Sequence, residues 1–102
     1  MFLVLDDCSR CKALKNNIGF LNSSFKFYSC NGENELCDEA ERLVNINSYP
    51  MAIVLDINNN IKEVVYFTDD YNKIGKKQEV ISGVFGIGVH SIDQMIDYII
   101  KL

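Results

Sequence analysis

Positive charge is sparse in this chain and nowhere clustered: ten Lys and Arg stand against fourteen Asp and Glu in 102 residues, a formal net charge of -4. Nucleic acid and anionic membrane surfaces are gripped by grouped Lys and Arg, so neither is expected as the main partner, and the Lys76-Lys77 pair is too short to change this. No apolar stretch approaches the ~20 residues that span a bilayer. The run from Met1 to Leu5 lacks a basic flank and a cleavage site, and it reads as a strand rather than a signal peptide. Without an export signal, a cytoplasmic location is expected, with the four cysteines as thiols unless they are catalytic. Proline occurs once, at Pro50, and histidine once, at His90. With 48% hydrophobic residues, a chain of this length can bury a core as one domain, residues 1–102, and needs no metal or disulfide to fold. A monomer is expected.

The hydrophobic pattern alternates between strand and helix signals. Phe2-Leu3-Val4-Leu5 is a strand-type run, Asp6-Asp7 interrupts it, and Leu14, Ile18 and Leu21 recur at helical spacing. Phe25-Lys26-Phe27-Tyr28 alternates as a half-buried strand does. Leu36, Ala40, Leu43 and Val44 mark a second helix, with Glu33 and Glu35 in its first turn where the helix dipole favours acids. Met51-Ala52-Ile53-Val54-Leu55 is apolar throughout, as a strand covered on both faces is. The Asn58-Asn59-Asn60 cluster suits a tight turn into a strand over Ile61 to Phe67. In the last helix, Ser91 and Gln94 form a capping box, and Ile92, Met95, Ile96, Ile99 and Ile100 form the apolar stripe. Between them, Thr68 to Gln78 is polar, and Glu79 to Gly88 reads either as an extension of the fourth strand across a bulge or as a loop. These elements predict an α/β domain with three helices flanking a four-stranded mixed sheet of order 2-1-3-4. Strands one and three lie in the middle, and two and four at the edges.

Cys8-Ser9-Arg10-Cys11 sits where the first strand hands over to the first helix. Two thiols three positions apart on a helix start lie close enough for an unstrained bridge, although zinc sites use the same spacing. A sulfur at a helix N-terminus gains from the unsatisfied N–H groups there, which can bring a cysteine pKa to roughly 3.5–7.5. Cys8 holds that position and is the expected nucleophile, and Cys11, one turn further in, the resolving thiol. Arg10 adds favourable charge, whereas Asp6 and Asp7 oppose a thiolate, so a moderate acidification of Cys8 is expected.

The order of elements, Cys8-x-x-Cys11 after strand one, Tyr49-Pro50 opening strand three and a glycine-bearing segment before the final helix resemble the thioredoxin superfamily, in its minimal glutaredoxin-like form. The resemblance covers nearly the whole chain. It implies a thioredoxin fold, a cis Tyr49-Pro50 bond facing the dithiol, and thiol-disulfide oxidoreductase activity on protein or small-molecule disulfides. It places Cys8 and Cys11 as the catalytic pair and Ser9, Arg10, Tyr49 and Pro50 around the substrate. No bound cofactor is implied; the partners are a disulfide substrate and an electron donor, either glutathione or a reductase. The chain departs from the family in having no tryptophan, in placing Ser9-Arg10 between the thiols, and in offering only Ser48-Tyr49-Pro50 and Gly86-Ile87-Gly88 where glutaredoxins hold glutathione.

Plainer readings stand beside these. Cys30 and Cys37 read as small buried hydrophobes, with a second redox pair or a zinc site shared with Cys8 and Cys11 as alternatives; the Cys-x2-Cys-x18-Cys-x6-Cys spacing suits a zinc ribbon only in its first half. His90 precedes the helix cap and suits a surface or capping role. Tyr49 is either a packing or a substrate-contact residue. Gly86-x-Gly88 suits a backbone turn, and Lys73, Lys76 and Lys77 a solvated loop. Two other functions remain open: a thioredoxin-fold binding module with an incidental dithiol, and a zinc-bound structural domain.

Overall fold

The computed structural model describes residues 2–4, 8–18, 26–32 and 35–101. The expected contributions of Leu5, Asp6, Asp7, Leu21, Phe25 and Glu33 fall outside them. In chain order the elements are β1 (Phe2–Val4), α1 (Ser9–Ile18), β2 (Phe27–Ser29), α2 (Glu35–Val44), β3 (Met51–Leu55), β4 (Ile61–Phe67), β5 (Lys77–Ile81), β6 (Val84–Val89) and α3 (Ile92–Ile100). The strands form one mixed sheet in the order β2-β1-β3-β4-β6-β5. β1 runs parallel to β2 and antiparallel to β3, β4 is antiparallel to β3 and parallel to β6, and β5 closes the edge antiparallel to β6. The α/β class with three helices stands; the sheet has six strands rather than four, because β6 and β5 continue the run β2-β1-β3-β4, and β4, expected at an edge, lies inside it.

The reason lies in β4. Val64, Val65, Tyr66 and Phe67 are all buried, and since successive residues point to opposite faces, both faces of this strand are covered. Its free edge is taken by β6. Glu79 to Gly88, expected as a strand extension or a loop, instead folds as a hairpin around Ser82-Gly83, with Gly83 at φ +80. The Glu79 carboxylate accepts the Gly83 N–H at 3.2 Å across that turn. Gly86 and Gly88, expected to form a turn, lie within β6. Lys77, expected in a loop, opens β5 and reaches the Glu63 carboxylate at 3.3 Å.

Gly88 has a specific reason to be glycine. The segment from Thr68 to Lys76 crosses the end of β6 before β5 begins, and its backbone pairs there: Gly75 N–H donates to Gly88 O at 2.9 Å, and Gly88 N–H donates to Lys73 O at 3.1 Å. A Cβ on Gly88 would stand 2.6 Å from Thr68 Cγ2 and 2.8 Å from Lys73 O.

Two apolar clusters cover the two faces of the sheet. On one, Leu14 and Cys11 of α1 and Met95 of α3 pack on Phe2, Val4, Ala52, Val65, Phe67, Ile87 and Val89. On the other, Cys37, Ala40 and Val44 of α2 pack on Met51, Ile53, Val64 and Tyr66. The alternation Met51/Ala52/Ile53 and Val64/Val65/Tyr66/Phe67 distributes side chains between the clusters. Ile100, assigned to the apolar stripe of α3, is 56% exposed at the helix end. Tyr98 on α3 donates its hydroxyl to Glu63 on β4, so α3 is also tied to the sheet by a polar contact.

The helix ends follow local chemistry. Ser91 caps α3 by accepting the Gln94 N–H at 3.1 Å, and Gln94 Oε1 in return accepts the N–H of His90, one residue before the cap, at 2.8 Å. Asn45, at φ 55, ends α2 in the left-handed conformation, and Ile46 N–H reaches back to Glu41 O at 3.2 Å. In the β3–β4 turn, Asn59 is left-handed at φ 64 and the Asp56 carboxylate accepts the N–H groups of Asn58 and Asn60 at 2.8 and 2.9 Å.

Two outcomes test this packing. Gly88→Ala forces the Thr68–Lys76 crossing outward and lowers stability by about 1–3 kcal/mol, the usual range for overpacking, in a urea titration; unchanged stability would contradict the crossing. The amide donors of Asn60 and Asn58, with the Lys62 ammonium nearby, lower the Asp56 pKa in the folded chain. A lowered folded pKa gives stability that is present above the unfolded value and lost as pH falls through the folded one. Asp56→Ala is therefore less stable than the parent chain at neutral pH, and the gap between them narrows in acid.

Candidate active site

Cys8 takes the place of a helix-capping oxygen at the start of α1. Its carbonyl accepts the Lys12 N–H at 3.0 Å, the first bond of the helix, and its sulfur accepts the Cys11 N–H at 3.1 Å. Cys8 is half-buried and Cys11 is 1% exposed. The two sulfurs lie at disulfide-bonding distance with Cα atoms 5.1 Å apart. The i, i+3 step that brings Cys11 under Cys8 also carries Leu14 onto the same buried face.

The loop after α2 meets this pair. The Tyr49–Pro50 peptide bond is cis, Pro50 is buried, and the Tyr49 carbonyl oxygen lies 3.6 Å from Cys8 Sγ. The Tyr49 ring is half-buried and touches both apolar clusters. Its hydroxyl donates to Glu41 Oε2 on α2 at 2.5 Å. Burial, followed by the hydrogen bond and charge of Glu41 and the charge of Asp38, pushes the phenol pKa well up, so the hydroxyl remains a donor at any ordinary pH.

Of the residues picked out in the sequence, Cys8, Cys11, Tyr49 and Pro50 thus converge. Ser9 and Arg10 are exposed in the first turn of α1. The Arg10 guanidinium lies over the Phe67 ring at 4.6 Å, a cation–π contact with the end of β4. Beside it a small polar cleft of about 80 Å³ is lined by Arg10, Ser48, Phe67, Thr68, Asp69 and His90. His90 is exposed and its Nδ1 contacts Gln94 Oε1 at 2.6 Å, the same oxygen that accepts its backbone N–H. Its position beside the cleft, and those of Thr68 and Asp69, had no local signal: only the sheet order brings the ends of β4 and β6 to α1. Glu41, one of several acids on α2, was also missed, since nothing near it in sequence marks its contact with Tyr49.

Cys30 and Cys37, expected to be packing residues, are a pair. Their sulfurs lie at bonding distance, with Cα atoms 5.9 Å apart, and both are buried, at 7% and 2% exposure. The β1–β2 ladder explains the meeting: Cys30 N–H donates to Val4 O at 2.7 Å, which sets residue 30 at the end of β2, while Cys37 lies in the first turn of α2. The two cysteine pairs belong to opposite faces of the sheet, with Cys11 in the α1/α3 cluster and Cys37 in the α2 cluster. They do not converge on one metal, and among the described residues no group of three or more His, Cys, Asp or Glu is placed to hold one. Also among them, no helix is long and apolar enough to cross a membrane.

Compared with protein-family models, with curated proteins and with solved structures, the chain matches none.

The buried pair is expected to act on stability. Closing so short a loop restricts the unfolded chain by about 2–3 kcal/mol on the loop-entropy estimate. The double variant Cys30→Ala, Cys37→Ala should lose about that much in denaturant while the alkylation rate of reduced Cys8 stays as in the parent chain. A tenfold slower Cys8 in that variant would show that the pair belongs to the site.

Proposed function

We propose that the protein is a thiol-disulfide oxidoreductase of thioredoxin-like fold, with Cys8 as nucleophile and Cys11 as resolving thiol. The observation that carries the reading is the setting of Cys8, a half-buried residue whose sulfur receives the Cys11 amide N–H at 3.1 Å and faces the Tyr49 carbonyl before a cis proline. Backbone N–H groups at a helix start favour a thiolate, and the thiolate is the attacking species. The sequential arrangement of β1, α1, β2, α2, β3, β4 and a final helix fits the resemblance; the β5–β6 hairpin, inserted between β4 and α3, is an addition to it.

The reaction follows from the two exposures. The Cys8 thiolate attacks one sulfur of a substrate disulfide, the substrate S–S bond breaks, and the first substrate thiolate leaves, giving a mixed disulfide. Cys11, too buried to meet a large substrate, loses its proton to solvent and attacks Cys8 Sγ. The mixed disulfide breaks and the second substrate thiolate leaves. Two electrons have passed to the substrate and Cys8–Cys11 is oxidised. The dithiol of a reductase, or two equivalents of a small thiol such as glutathione, returns the pair to its reduced form and is itself oxidised to a disulfide. Ser9, Arg10 and the polar cleft lie where residues flanking the substrate sulfur would rest. A cytoplasmic location and a monomeric state are part of the same proposal.

Insulin reduction with dithiothreitol as donor tests it. Cys8→Ser should abolish turnover, and Cys11→Ser should accumulate a mixed disulfide visible by mass spectrometry. Full activity in Cys8→Ser would overturn the reading. No turnover in the parent chain would favour a binding module, and stoichiometric zinc without turnover a structural metal domain.

A further inference from the structure

Glu41 grips the loop that faces Cys8 in two ways. Its backbone carbonyl accepts the Ile46 N–H at 3.2 Å, closing the end of α2, and its carboxylate accepts the Tyr49 hydroxyl at 2.5 Å. Between these holds the chain turns through Asn45 and runs to Tyr49, whose own carbonyl lies 3.6 Å from Cys8 Sγ. The side chain of Tyr49 therefore points its polar end at α2 while its backbone presents an acceptor to the nucleophile. Among the described residues, Asp38 also bears on the phenol through its charge. Arg10, Asp69 and His90 are the charged or titratable groups of the cleft beside the first turn of α1.

We propose that Glu41 is a positioning residue for the dithiol: through the Tyr49 hydroxyl it holds the Tyr49 carbonyl against Cys8 and so limits the acidity of that thiol. This rests on the redox reading above and deepens it. Two groups compete at the sulfur. The Cys11 N–H stabilises the thiolate, whereas a carbonyl oxygen accepts from the S–H of the reduced form and opposes the negative charge. Nucleophilicity falls as thiol pKa falls, so the best attacking thiol has a pKa near ambient pH. A carbonyl held in place keeps Cys8 from acidifying past that optimum.

The test reads Cys8 itself. In the full-length, reduced protein, the pH dependence of iodoacetamide alkylation, localised to Cys8 by mass spectrometry, gives its pKa. Glu41→Ala and Tyr49→Phe each free the carbonyl and should lower that pKa by about 0.5–1, the worth of one net hydrogen bond to the thiol. The double variant should go no lower than either single one, since both break one link. Glu41→Gln keeps an acceptor and should stay with the parent chain. If Glu41→Ala does not fold, Tyr49→Phe, which removes only one oxygen, decides. An unchanged Cys8 pKa in Tyr49→Phe, or equal shifts in Glu41→Gln and Glu41→Ala, overturns the proposal. Because alkylation needs no disulfide substrate, a parent chain without reductase turnover would overturn the redox reading and leave this titration to be judged separately.

Discussion

The site is organised by a sulfur doing the work of a capping oxygen. Helix α1 begins with N–H groups that no earlier turn can satisfy, and Cys8 Sγ receives one of them, that of Cys11, at 3.1 Å. The same contact that starts the helix thus supplies the electrostatics that favour a thiolate. Because Cys11 is both the donor of that N–H and the buried partner thiol, the geometry that caps the helix also sets the distance between the two sulfurs. A change that unwound the first turn would remove the cap, the N–H at the Cys8 sulfur and the placement of its buried partner together.

The sheet serves this arrangement by delivering three chain ends to one place. β1 leads into Cys8, the segment before β3 brings Tyr49 and Pro50, and the parallel pairing of β4 and β6 brings Phe67, Thr68 and His90 alongside Arg10. That last pairing is what the β5–β6 hairpin accomplishes. β6 inserts between β4 and β5, so the chain leaving β4 must cross the end of β6 to reach β5, and Gly88 leaves room for the crossing backbone. The floor of the cleft beside α1 is a consequence of this inserted strand.

What could be read from the residues was whatever local physics decides. The apolar run of Met51 to Leu55, the Asn58–Asn60 turn, the Ser91–Gln94 cap and the stripe led by Met95 are each specified by neighbours in sequence, and the observed elements follow them closely. The β5–β6 hairpin was not legible, because β5 is an exposed edge strand with only Val80 half-buried, and the glycines of β6 imitate a turn. Gly88 is small for the sake of a segment more than ten residues earlier. The same limit applied at the site: Cys8, Cys11 and Pro50 carry local signals, whereas Glu41 matters through a contact eight residues away across a loop, and Cys30 meets Cys37 only once β2 and α2 are placed.

The two cysteine pairs differ in consequence because the sheet stands between them. Thiol-disulfide exchange requires one sulfur to attack another directly, and Cys11 and Cys37 pack into clusters on opposite faces. Reduction of one pair therefore does not pass to the other within a folded chain. The Cys30–Cys37 link instead fastens the first turn of α2 to the end of β2, while the far end of the same helix is closed by Ile46 N–H on Glu41 O and tied to Tyr49 by the Glu41 carboxylate. A helix held at both ends is a firm mount for the loop it carries. The buried pair thus bears on the stability of α2, while the setting of Cys8 is made by the Cys11 N–H and the Tyr49 carbonyl on the other cluster's side.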